Sequence, residues 1–123
     1  MSFIYVGLGG FLGTIVRYSF NIFFNGIIGL PIAYATIFVN ISGSLLMGIF
    51  FYYTSNNFSE FYKLFFMTGV LGGFTTFSAF SLDSINMLLE KEYLNLVIYI
   101  SVSVFLSVFF LYLGFTFARY IST

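Results

Sequence analysis

Hydroxyls, amides and glycines recur every four residues along this chain, on stretches otherwise soluble only in lipid. Thr36, Asn40, Ser44 and Gly48 form one such series, Tyr99, Ser103 and Ser107 a second, and Gly9, Gly13 and Arg17 a third. In an α-helix that spacing puts each series on one face. The densest cluster is Gly69-Val-Leu-Gly72-Gly73-Phe74-Thr75-Thr76-Phe77-Ser78-Ala79-Phe80-Ser81, where a glycine pair and two threonines precede spaced aromatics. Glycine pairs are poor helix formers, and in a bilayer a broken helix survives only where its freed backbone groups meet protein, water or an ion. The stretch is therefore a candidate ion site. Neutral donors suit an anion: a small, strongly hydrated one must exchange its lost water for close hydrogen-bond donors. Aromatic edges, which carry partial positive charge, can assist.

Catalysis has no support. The chain holds no histidine and no cysteine, no paired carboxylates within a span and no nucleotide-binding loop, so it is not expected to be an enzyme. Any metal would have to be held by oxygen.

Spacing alone leaves several roles open. The glycine strip serves close helix packing or direct ligand contact. Arg17, late in its apolar run, either snorkels to the interface or lines a pore, and in both cases adds positive potential near one mouth. Asn40 makes an interhelical hydrogen bond or donates to an anion. The Tyr99, Ser103 and Ser107 line marks helix packing or a wet path. Phe77 and Phe80 lie three apart with Ser78 and Ser81 beside them. Asp83 is the only carboxylate close to membrane depth, able to cap, to pair with a cation or to mark a vestibule.

The elements that must position these residues are membrane spans. Hydrophobic residues make up 60% of the 123 and charged ones 7%, with mean hydropathy +1.05, more apolar surface than a soluble core of this size can hide. About four spans of roughly 20 residues fit. They are expected at about residues 3–24, 31–53, 61–89 and 93–118, forming a single domain over 1–123, with the third helix broken mid-membrane. Asn25-Gly26 and Gly29-Leu30-Pro31 supply the first turn, residues 54–60 an aqueous loop, Glu90-Lys91-Glu92 the last connection, and Arg119-Tyr120 the closing interface. Net charge is zero, which argues against nucleic acid. No signal-peptide pattern precedes the first span, so the first helix is expected to begin directly at the N-terminus. Basic residues barely distinguish the two sides. Lys63 and Arg119 fall on one face, Lys91 on the other with Arg17 nearer to it, a balance that permits insertion both ways and lets two copies meet antiparallel.

Three segments carry a resemblance to a known family: Gly9-Gly10-Phe-Leu-Gly13-Thr-Ile-Val-Arg17-Tyr18, Phe38-Val39-Asn40-Ile-Ser-Gly43-Ser44, and Gly72-Gly73-Phe74-Thr75-Thr76-Phe77-Ser78-Ala79-Phe80-Ser81. They resemble the signatures of the CrcB/Fluc fluoride channels, as do the length and four-span layout. The resemblance implies an all-α, antiparallel, dual-topology homodimer with two fluoride pores and a structural sodium ion at its centre, held by the backbone carbonyls of Gly72 and Thr75 from both copies. It assigns Phe77 and Phe80 to aromatic boxes beside the fluoride path, Asn40 to a donor at those rings, Tyr99, Ser103 and Ser107 to a polar track, and Arg17 to the aqueous entrance; Ser78 and Thr36 are also expected among the pore residues. Departures are Asp83 where glutamate is commoner, Ala79 where threonine or serine is common, and Thr14 where a small residue is common. The implied function is passive export of fluoride across a bacterial inner membrane, relieving its toxicity, with surrounding lipid and a second copy of the chain as partners. The rival reading is a small four-span multidrug/proton antiporter, which needs a carboxylate in the first span. That span has none. A noncatalytic membrane assembly subunit would account for the packing glycines but not for the hydroxyl stripes and the broken helix together.

Overall fold

The computed structural model describes residues 1–55 and 59–123. Asn56, Asn57 and Phe58, in the middle of the expected aqueous loop, lie outside the described residues. The architecture is all-helical, and four stretches are long and apolar enough to cross a membrane: Ser2–Ile28, Ile32–Thr54, Glu60–Leu89 and Tyr93–Ile121. We label Ser2–Ile28 α1 and Ile32–Thr54 α2. The third stretch comprises α3 over residues 60–74 and α4 over Phe77–Leu89. The last stretch, Tyr93–Ile121, is α5. Two segments are wound more widely, as π-helix: Ile22–Ile28 at the end of α1 and Lys63–Leu71 within α3.

Turn chemistry sets the boundaries. Gly29 closes α1 at φ 84°, a left-handed conformation that glycine adopts without steric cost. Asn25 ties the turn by donating from Nδ2 to the Leu30 carbonyl at 3.0 Å. Pro31, with no N–H to lose, then leads into α2. At the far end of α4 the Glu92 N–H reaches back to the Met87 carbonyl at 2.9 Å and the Lys91 N–H to Leu88 at 3.1 Å. That double closure holds Lys91 at φ 60°, an unusual conformation for a residue with a side chain.

The helices pair through glycine. α1 lies against α3 and α2 against α5. A methyl group added at Gly9 would strike the Phe65 carbonyl and one at Gly13 the Val70 carbonyl; at Gly48 it would strike Leu111, and at Gly114 Leu45. With lipid as apolar as leucine, such close approach supplies the dispersion contact that holds membrane helices together. Of the roles left open for the first-helix glycines, the structure displays packing. The small core holds Ala35, Thr36, Val39, Leu71, Phe74, Phe80, Tyr99 and Ala118, while most other large apolar side chains face outward.

Candidate functional site

The site grows from two residues without helical geometry. Thr75 (φ −84°, ψ 158°) and Thr76 (φ −152°, ψ 123°) are extended, so α3 ends at Phe74 and α4 begins at Phe77. An interruption frees backbone groups that each need a partner. Three side chains supply them. Asn40 of α2 does so twice, its Nδ2 donating to the Thr76 carbonyl at 2.9 Å and its Oδ1 accepting from the Thr76 N–H at 2.7 Å. Arg17 of α1 donates from Nε to the Gly73 carbonyl at 3.1 Å. Thr76 itself caps α4, its Oγ1 accepting from the Ala79 N–H at 3.1 Å. Thr75 folds back on Leu71 through both its N–H and its hydroxyl, each at 3.0 Å. Among the described residues, none of these bonds ends on the carbonyls of Gly72 or Thr75. Gly43 lets the bend approach α2, because a side chain there would collide with the Thr75 methyl group and meet the Phe74 ring at 3.2 Å.

Beside the interruption runs a groove of about 380 Å³ between α2, α4 and α5, lined by Asn40, Ser44, Thr76, Phe77, Ser103 and Ser107 among others. Ser103 is 6% exposed, and its Oγ has no hydrogen-bond partner among the described residues. Buried hydroxyls almost always have one. Phe77 and Phe80 both touch the groove, with ring centroids 5.3 Å apart. They differ sharply in surroundings: Phe80 is 8% exposed and Phe77 76%. The α4 amino terminus also opens here, which adds partial positive charge.

Further along, Thr36 and Tyr99 are tied to Asp83. Thr36 Oγ1 and Tyr99 OH both donate to Asp83 Oδ2, each at 2.8 Å. The Tyr99 ring packs on Phe80 at 5.3 Å between centroids. On its other side Tyr99 borders a second cavity of about 420 Å³ with Pro31, Tyr34, Glu92 and Asn95.

The fold thus gathers Asn40, Phe77, Phe80, Ser103 and Ser107 around one groove and sets Thr36 and Tyr99 at a knot next to it. Ser78 stands outside the groove lining, exposed, its hydroxyl 3.3 Å from that of Thr76. Arg17 is half-buried on the opposite side of the interruption. Gly72 is exposed, with its nearest neighbour 3.7 Å from where a side chain would begin. Sequence reasoning did not foresee Thr76, whose backbone groups are the ones Asn40 holds. The available signal was the interruption itself, since two freed groups of opposite polarity match a side-chain amide. Nor did it assign a pore role to Ser44, one helical turn beyond Asn40 on the same stripe.

Four apolar spans, with a polar groove lined by donors at the level of a backbone interruption, define a multi-pass membrane protein. A family model described as CrcB-like protein, Camphor Resistance (CrcB), matches residues 4–115. The chain belongs to that family. It is similar to a protein from Flavobacterium psychrophilum named fluoride-specific ion channel FluC, 41% identical over 117 residues and 94% of each chain. A protein of that name from Campylobacter jejuni is 40% identical over 111 residues, covering 89% of this chain and 91% of the relative. Another, from Rhodopseudomonas palustris, is 39% identical over 125 residues, covering 99% and 100% respectively.

Proposed function

We propose that this protein is a fluoride-selective channel that lets the ion leave the cytoplasm passively. The observation that carries the reading is the groove at the interruption. It lines up Asn40, Ser103 and Ser107 beside two phenylalanines, in a chain about 40% identical to relatives named for fluoride conduction. The buried Ser103 hydroxyl, unpartnered among the described residues, supports it further, because an anion is an acceptor and a hydroxyl without one is ready to donate. Asn40 spends one amide hydrogen on Thr76 and keeps the other. Asp83 is the only acid at membrane depth and sits on α4, so no first-span carboxylate is present for proton exchange by an antiporter.

The working unit in this reading is an antiparallel, dual-topology homodimer with two pores, and the third span is broken at mid-membrane. Phe77 agrees with this reading: its ring is 76% exposed at the lip of the groove, where a second copy would supply the facing wall. A structural sodium ion belongs to the same reading. Its donor set would be the Gly72 and Thr75 carbonyls of both copies, hard oxygens on which none of the hydrogen bonds described above ends. Among the described residues no cluster of histidine, cysteine, aspartate and glutamate competes for a metal. When bound, the ion would neutralise the partial negative charge of the carbonyl oxygens that hold it.

The test is fluoride efflux from liposomes holding the purified protein, with chloride as control. Fluoride efflux above empty vesicles without matching chloride efflux is expected. Equal rates for both ions, or none, would sink the proposal. Replacing sodium by N-methylglucamine is expected to lower the thermal stability of the dimer, and an unchanged unfolding temperature counts against the sodium site.

A further inference from the structure

We infer that the Asp83 carboxylate is a tethered competitor for the permeating anion, and through that competition a determinant of which anion passes; the inference rests on the channel reading above. Thr36 comes from α2 and Tyr99 from α5, yet both hydroxyls converge on one oxygen, Asp83 Oδ2, at 2.8 Å each. Two donors aimed at one point are what a compact spherical anion requires. The carboxylate oxygen occupies that point. Thr36 and Tyr99 are 2% and 3% exposed, so bulk water does not serve them; Thr36 has a second, longer acceptor in the Ile32 carbonyl at 3.3 Å, whereas Tyr99 has only Asp83 among the described residues. The other oxygen, Oδ1, accepts no hydrogen bond among the described residues, which leaves the carboxylate held at one end only.

Position makes this arrangement consequential. Tyr99 borders the cavity shared with Glu92 and Asn95, and its ring packs on Phe80, which borders the groove of Ser103 and Ser107. The knot therefore stands between the two spaces, and an anion moving from one to the other meets hydroxyls already in use. Passage is an exchange. Asp83 turns off the shared point about its own side-chain torsions, the anion accepts both O–H bonds, and the returning carboxylate displaces the anion onward. No bond other than hydrogen bonds forms or breaks, and no proton is transferred.

Such an exchange discriminates. A competitor fixed to the wall acts at high effective concentration, so only an anion that accepts hydrogen bonds about as well as a carboxylate can replace it. Fluoride concentrates its charge on a small sphere and does so. Chloride spreads the same charge over a larger sphere, makes weaker bonds to both hydroxyls, and leaves a displaced carboxylate unpaired. Sites that reject a ligand by leaving buried polar groups unpaired discriminate far more strongly than sites that rely on size. The repulsion between Asp83 and the bound anion also speeds departure, as conduction through a selective pore requires.

The experiment compares fluoride and chloride efflux from liposomes for the wild type, Asp83→Asn, which keeps shape and an acceptor but loses the charge, and Asp83→Ala, which removes the competitor. The expected result is a fluoride-to-chloride flux ratio at least tenfold lower in Asp83→Ala, with Asp83→Asn between it and the wild type and fluoride still conducted by both. An unchanged ratio in conducting variants overturns the inference. So does loss of fluoride flux in both, because a competitor's removal should not stop conduction. A wild type that carries no fluoride instead defeats the channel reading itself, and the two failures are thereby distinct.

Discussion

Replacing Asn40 by alanine tests how the interruption between α3 and α4 is held. The substitution deletes both bonds to Thr76, at 2.9 Å and 2.7 Å, and orphans one carbonyl and one N–H. Leaving a buried polar group unsatisfied costs about 1–3 kcal/mol, or about 2–6 kcal/mol for the pair. Hydrogen bonds measured within membranes sit lower, averaging about 0.6 kcal/mol each, which sets a floor near 1.2 kcal/mol. Asn40 is half-buried beside a groove that water can enter, so we expect a loss of about 2–3 kcal/mol, toward the lower part of that span. Equilibrium unfolding in mixed micelles measures it, and fluoride efflux from liposomes run alongside should fall while the size-exclusion profile stays that of the wild type. Asn40→Asp separates the two duties: it still accepts from the Thr76 N–H but sets a carboxylate against the Thr76 carbonyl, and is expected to conduct less than the wild type. An Asn40→Ala variant within about 0.5 kcal/mol of wild type, the scatter of an ordinary surface substitution, would refute the stitching role. Normal fluoride flux in that variant would refute its place in the pore.

Ser103→Ala should lose flux without losing stability, because the deleted hydroxyl has no partner to orphan; we expect stability unchanged or raised by up to about 1 kcal/mol, and fluoride efflux at least about tenfold lower, equivalent to ~1.4 kcal/mol. A destabilised variant with full flux would reverse that assignment. Gly48→Ala drives a methyl group into the Leu111 carbonyl and to 2.9 Å from the Phe115 nitrogen, so α2 and α5 must part at a cost of about 1–3 kcal/mol, read as a lower unfolding temperature. Lys91→Gly relieves a side chain held at φ 60° and should stabilise the protein by about 1 kcal/mol without touching conduction, as thermal unfolding and efflux together can check.

The number and approximate ends of the apolar helices, the polar stripes, and the place where glycine and threonine weaken the third span are legible in the order of residues. Those are local properties: hydropathy sums over a window, four-residue spacing defines a face, and Gly29, Pro31 and the Glu90 to Glu92 turn act on their immediate neighbours. Family membership was legible for a related reason, since its signatures are short contiguous segments. Which donors are occupied depends instead on how the helices pack. Asn40 meets Thr76 across 36 positions, Thr36 meets Asp83 across 47 and Arg17 meets Gly73 across 56, and each pairing depends on which helices the fold brings side by side. On one stripe of three hydroxyl residues, Tyr99 is claimed by Asp83 while Ser103, one turn on, has no partner among the described residues. Spacing makes those two residues equivalent. What separates them is the neighbouring helix, because a hydrogen bond is satisfied by an atom within about 3 Å, wherever in the chain that atom comes from.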